Sequence, residues 1–200
     1  MARMAMKDRR EALIAAAIRV MVRDGVTRTT TRAVVNEAGM PLGVFHYCFN
    51  AREELLQEVI TRMTDASAAA AREAFAEAGD LASGISKSLQ AFWDGVQKEP
   101  GEHLLTYELT NYALRQAGME DLARRQYAHY LRVHEELLTE VAERNAIQWT
   151  VPLPALARYL NSVLDGLTLC WLVDRDDEHT REVLRLTGEH LTSLAQPVSE

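Results

Sequence analysis

Apolar residues recur at helical spacing along almost the whole chain, and no stretch sustains the two-residue alternation of a half-buried strand. Leu13, Ala16, Ala17 and Val20 form the first stripe. Ile14, Ile18 and Met21 widen it and Gly25 stops it, so the pattern predicts a helix over about 7–24. Thr29 or Thr30 is placed to cap a second helix that stops at Gly39, where a left-handed residue would make a tight turn. Pro41, expected at the first helical position, opens a short third helix. In that helix Phe45, Cys48 and Phe49 face inward, while Leu42, Gly43, His46 and Tyr47 face out.

A fourth helix begins near Ala51 with Leu55, Val59, Ile60 and Met63 and runs into an alanine-rich tail. The fifth, over about 81–98, carries Leu81, Ile85, Leu89, Phe92 and Val96. The sixth (about 101–116) and seventh (about 119–145) follow, separated at Gly118. After a turn containing Pro152 and Pro154, an eighth helix over about 154–174 is apolar nearly all round. The ninth, over about 178–195, shows Val183, Leu186, His190 and Leu194 on one stripe, with Leu184 and Leu191 beside it. The fold class is therefore all-α, and helices eight and nine, with their wide apolar faces, are expected to pair two copies of the chain as a homodimer.

Charge divides this chain. The first fifty residues hold eight Lys or Arg against four acids, so the net −7 leaves −11 for the remainder. A basic end on an acidic body suits a head that approaches nucleic acid and a body repelled by phosphate. No secretory leader is expected, because the apolar run at 12–18 is short and is followed by Arg19 and Arg23. No membrane span is expected either: the apolar stretch 159–173 is interrupted by Asn161 and Asp165 and falls short of the roughly 20 residues needed. Cys48 and Cys170 lie far apart without ligand spacing, which points to a reduced, cytoplasmic setting.

The stretch 29–52 unites the chemistry of the basic end. Two short helices about a glycine turn, the second with small, aromatic and polar residues outside, form the pattern of a helix-turn-helix. Pro41, Leu42 and Val44 are compact enough to meet base edges and thymine methyls in a major groove. Thr29, Thr30, Arg32, His46, Tyr47 and Arg52 are the types that grip flanking phosphates.

The run Ala38-Gly39-Met40-Pro41-Leu42-Gly43-Val44-Phe45-His46-Tyr47-Cys48-Phe49-Asn50-Ala51-Arg52-Glu53-Glu54-Leu55 resembles the head of TetR-family transcriptional repressors, whose motif reads A-G-V-S-x-G-x-L-Y-x-Y-F-x-x-K-E-x-L. The resemblance covers about a quarter of the chain; beyond it only the helical layout is similar. Pro41 stands where the family has Ser, His46 where it has a phosphate-binding Tyr, Cys48 where it has a second aromatic, and Arg52 where it has Lys. The resemblance implies a DNA-binding domain over 1–50 and a ligand-binding and dimerisation domain over 51–200. It also implies a repressor released from a near-palindromic double-stranded operator by a small, mostly apolar molecule.

Polar and aromatic residues on inward stripes of the body are the candidates to bind that effector: Phe92, His103, Tyr107, Asn111, Tyr127, Tyr130, His134, Asn161 and Trp171. Each alone reads equally as a core residue with a satisfied polar tip; only the collection suggests a pocket. Enzymatic chemistry finds no support. None of the six histidines follows a Glu by three positions, and there is no His-Glu-x-x-His, phosphate-cradling glycine loop or Gly-x-Ser-x-Gly, so no catalytic residue, metal or cofactor is expected. The competing reading is a helical-bundle interaction adaptor or a small-molecule-binding protein without DNA binding, which accounts for the apolar final helices but not for the head.

Overall fold

A computed structural model describes residues 5–198. Among them are nine helices: α1 (Met6–Asp24), α2 (Thr31–Glu37), α3 (Leu42–Cys48), α4 (Arg52–Ala76), α5 (Leu81–Lys98), α6 (Pro100–Arg115), α7 (Glu120–Asn145), α8 (Leu153–Asp174) and α9 (Asp177–Ser193). The helical periodicity is thus realised almost residue for residue. The missing strand signal is corrected by β1 (Ile147–Trp149) and β2 (Ala195–Pro197), which pair antiparallel with Gln148 opposite Gln196. Strands of three residues are too short for an alternating pattern to register.

Two compact units form. The first comprises Met1–Met63 with Gly101–Gln126, and the second Thr64–Pro100 with Tyr127–Glu200. α4 and α7 each run from one unit into the other, and α6 belongs to the first.

In the first unit α1 buries Leu13, Ala17, Val20 and Met21 completely or nearly so, α2 adds Val34 and Val35, and α3 adds Phe45 and Cys48. Local capping fixes the boundaries. The Thr30 hydroxyl accepts from the Ala33 N–H at 3.1 Å, which makes Thr30, not Thr29, the cap of α2. Gly39, at φ +64, supplies the left-handed turn, and the Met40 N–H returns to the Val35 carbonyl at 2.8 Å. Pro41 (φ −66, ψ 148) is itself the extended cap of α3 and not its first helical residue. Thr30→Ala should lower unfolding free energy by about 1 kcal/mol in a urea titration, while Thr30→Gly should cost only a few tenths. An equal loss for the two would place the effect outside the cap.

The second unit is organised on Trp93, fully buried, whose ring meets that of Trp171 edge-on at 5.1 Å. Around them Ile85, Leu89 and Val96 of α5, Leu156, Leu160 and Leu164 of α8, and Leu184 and Leu191 of α9 make one apolar cluster. Gly188 of α9 lies against Leu89 and Ile85 of α5.

This packing revises two stripes. On α5 the residue at the centre is Trp93, and Phe92 is only partly buried against the cluster. On α9 the buried stripe is Thr180, Leu184, Thr187, Gly188 and Leu191. Leu194, expected beside Val183 and Leu186, packs on the core instead, whereas Leu186 (50%) and Val183 (37%) remain exposed. Leu169 and Val173 of α8, the latter 82% exposed, are also on the outside, so α8 is not enclosed all round.

Candidate nucleic-acid interface and effector site

The head is assembled by charge as well as by core. Arg10 of α1 donates to the Cys48 carbonyl at 2.5 Å and to Glu58 at 2.7 Å, lies 2.8 Å from Glu54, and covers the Phe49 ring at 4.4 Å. One guanidinium therefore joins α1, the end of α3 and the start of α4. Arg19 and Arg23 both reach the Glu37 carboxylate, at 2.8 and 3.0 Å, and hold its acid form below the usual carboxylate range. Arg28 donates to the Asp24 carbonyl at 2.6 Å. Much of the positive balance of the first fifty residues thus fixes the angle between helices.

A second joint lies at the α1–α2 turn. The Val26 N–H donates to Glu108 Oε2 at 3.1 Å, and the Val26 carbonyl accepts from Arg52 Nη2 at 2.7 Å. Arg52 Nη1 donates to the Tyr112 hydroxyl at 2.7 Å. Both polar groups of one turn residue are therefore tied to side chains of α4 and α6 within the first unit.

What the joints hold outward is the expected reading face. Leu42 and Tyr47 are exposed, as are Pro41, Gly43, His46, Thr30 and Arg32, and Val44 is half-buried. Two expected phosphate contacts sit elsewhere. Thr29 is buried, and its hydroxyl donates to the Gly25 carbonyl at 2.9 Å. Both terminal nitrogens of Arg52 are engaged by the joint just described. Glu108 and Tyr112 of α6, which complete that joint, lie 82 residues beyond Val26 and 60 beyond Arg52, so no local pattern in 29–52 announces them.

The nine effector candidates divide between the units. His103, Tyr107 and Asn111 lie on α6 in the first. Burial pushes the His103 imidazole down to about 4, so it is neutral at physiological pH. Asn111 is exposed, and its amide returns to the Tyr107 carbonyl at 2.9 Å.

Phe92, Tyr127, Tyr130, His134, Asn161 and Trp171 belong to the second unit. The Tyr127 hydroxyl donates to Asp165 Oδ2 at 3.3 Å, and Asn161 Nδ2 donates to the same oxygen at 3.1 Å. Burial raises the Asp165 carboxyl, opposed by these two bonds, and burial followed by the Asp165 charge raises the Tyr127 phenol. His134 is pushed down to about 4 by burial, and its Nδ1 has no hydrogen-bond partner. Trp171 spends its indole N–H on Asp177 Oδ1 at 2.7 Å and lies in the core. Two residues outside the expected set stand beside these: Asp165, an acid in the middle of α8, and Thr168, buried with an unpartnered hydroxyl. An open cleft of about 510 Å³ lies elsewhere in this unit, lined by Thr139, Ile147, Trp149, Val151, Leu153 and neighbouring residues and by none of the nine candidates. Among the described residues no group of three or more His, Cys, Asp or Glu is placed to hold a metal ion, and no helix is long and apolar enough to cross a membrane.

Residues 13–59 match the family model described as bacterial regulatory proteins, tetR family, and residues 82–196 match that of the BetI-type transcriptional repressor C-terminal domain. The chain is 28% identical over 176 residues to the HTH-type nicotine-responsive transcriptional repressor HdnoR of Paenarthrobacter nicotinovorans, covering 88% of this chain and 90% of that one. Among solved structures it is similar to a putative TetR-family transcriptional regulator from Rhodococcus sp., with a TM-score of 0.77, 20% identity, and coverage of 92% of this chain and 97% of that one. A putative transcriptional regulator from Streptomyces coelicolor A3(2) gives a TM-score of 0.70 at 26% identity over 92% of this chain and 98% of its own.

Proposed function

This chain belongs to the TetR family of bacterial transcriptional regulators, and we propose on that premise that it is a cytoplasmic homodimer released from a near-palindromic operator by a small, mostly apolar molecule. The observation that carries the DNA-binding role is the reading face of α3: Phe45 and Cys48 buried beneath it, Leu42 and Tyr47 left in solvent above it. Pro41, Leu42 and Val44 read base edges; Thr30, Arg32, His46 and Tyr47 bind flanking phosphates. Thr29 and Arg52 fix the register of the head from within.

Two such heads, related by a twofold axis, engage successive major grooves about 34 Å apart. The dimer forms through α8 and α9, whose outward Leu169, Val173, Val183 and Leu186 supply the apolar contact. Effector binding favours a form of the body in which the heads no longer match the two half-sites, so operator affinity falls by population shift. The nicotine-responsive relative supports a small-molecule effector here, and nicotine is the first compound to try.

The test uses duplexes enriched from a random library by repeated binding, followed by fluorescence anisotropy. Affinity should fall steeply with salt. Arg32→Ala should weaken enriched and random duplexes by the same factor and reduce the log–log salt slope by about one, whereas Leu42→Ala should change the preferred sequence. Enrichment of no duplex, or affinity independent of salt, would refute the DNA-binding role.

A further inference from the structure

The second unit holds a polar strip that its apolar core does not require. On α8, Asn161, Asp165 and Thr168 repeat at helical spacing on one face; on α7, Tyr127, Tyr130 and His134 do the same. The bond from the Tyr127 hydroxyl to Asp165 joins the two strips, and the Tyr127 and Tyr130 rings lie 5.6 Å apart.

The chemistry of the strip is one-sided. Two of its donors, the Tyr127 hydroxyl and the Asn161 amide, converge on one Asp165 oxygen. The Thr168 hydroxyl, 2% exposed, has no hydrogen-bond partner, and neither has His134 Nδ1. Burial works against the ionised form of Asp165, so a cation brought to it would stabilise the carboxylate where an anion would be repelled. Aromatic faces next to a carboxylate are the surroundings that favour an organic ammonium over a neutral ring.

We propose that this strip binds the effector as a protonated amine carried on a ring, the ammonium directed to Asp165 and Thr168 and the ring set against Tyr127 and Tyr130. The proposal rests on the reading of the chain as an effector-responsive repressor and narrows the class of that effector.

Tryptamine, tryptophol and indole-3-acetate share one ring and differ in charge, so their titration into the full-length protein by calorimetry at neutral pH decides the matter. Tryptamine should bind tighter than tryptophol by about tenfold or more, and indole-3-acetate should give no binding heat. In Asp165→Asn the tryptamine affinity should fall to that of tryptophol, which itself stays unchanged. Equal affinity of amine and alcohol, a preference that survives Asp165→Asn, or no binding of tryptamine would overturn the proposal; the wild-type comparison stands even if the variant does not fold. Anisotropy of the enriched duplex in the same preparation before any compound is added separates the two readings: operator binding without amine preference refutes this inference alone, and failure to bind the operator refutes the repressor.

Discussion

Glutamate at both Val173 and Leu186 should convert the dimer to monomers and reduce operator affinity by about a hundredfold or more. These side chains are 82% and 50% exposed in the single chain, on adjoining helices that also leave Leu169 and Val183 outside. An apolar side chain of this size contributes about 1.5–3 kcal/mol when fully buried, and a twofold interface counts each substitution twice. Introducing a carboxylate removes that gain and adds the desolvation of a charge that meets its own symmetry mate. A monomer keeps one reading helix and loses the second half-site, whose binding in the dimer is effectively intramolecular. Sedimentation velocity and anisotropy measure the two losses. A variant that still sediments as a dimer would move the interface off α8 and α9. Leu194→Glu supplies the contrast: this side chain packs on the core cluster, so its substitution should lower the unfolding midpoint before it alters association.

Trp93→Ala should cost about 3–5 kcal/mol of unfolding free energy, the usual range for emptying a fully buried large aromatic site. Trp93 has no exposed surface and holds Trp171 edge-on at 5.1 Å, so its loss removes both buried area and an aromatic pair. Trp93→Phe should cost distinctly less, because the indole N–H has no hydrogen-bond partner to lose. Urea unfolding followed by far-ultraviolet circular dichroism checks both. A loss below about 1 kcal/mol for alanine would mean that α5 and α8 close over the vacancy.

The sequence was most legible where a local rule decides structure. Thr30, Gly39 and the alternation of Phe45 and Cys48 with Leu42 and Tyr47 each act through neighbours within a turn or two, and each is found as the spacing predicts. It was least legible where the deciding partner is distant. Nothing near Arg52 announces that Val26 and Tyr112 will take its guanidinium, and nothing near Thr29 that its hydroxyl turns back to Gly25. A stripe drawn through Phe92 fits helical spacing as well as one through Trp93, and only packing against α8 and α9 selects between adjacent positions. On α9 the sequence offers two apolar stripes, and which of them faces the core is decided by packing against α5 and α8. Asp165 carries a usable signal, an acid between the leucines of α8, which argues against a membrane span but does not by itself mark a binding group.

The Val26 amide is held by a carboxylate 82 positions away in the chain. Its exchange with deuterium therefore depends on more than the opening of the first two helices: the Glu108 carboxylate of α6 must also let go before solvent can take the proton. One backbone position in the DNA-binding head thus serves as a clock for a helix outside it. A compound that loosens α6 would be registered there as faster exchange, before any change in the helices that face the operator.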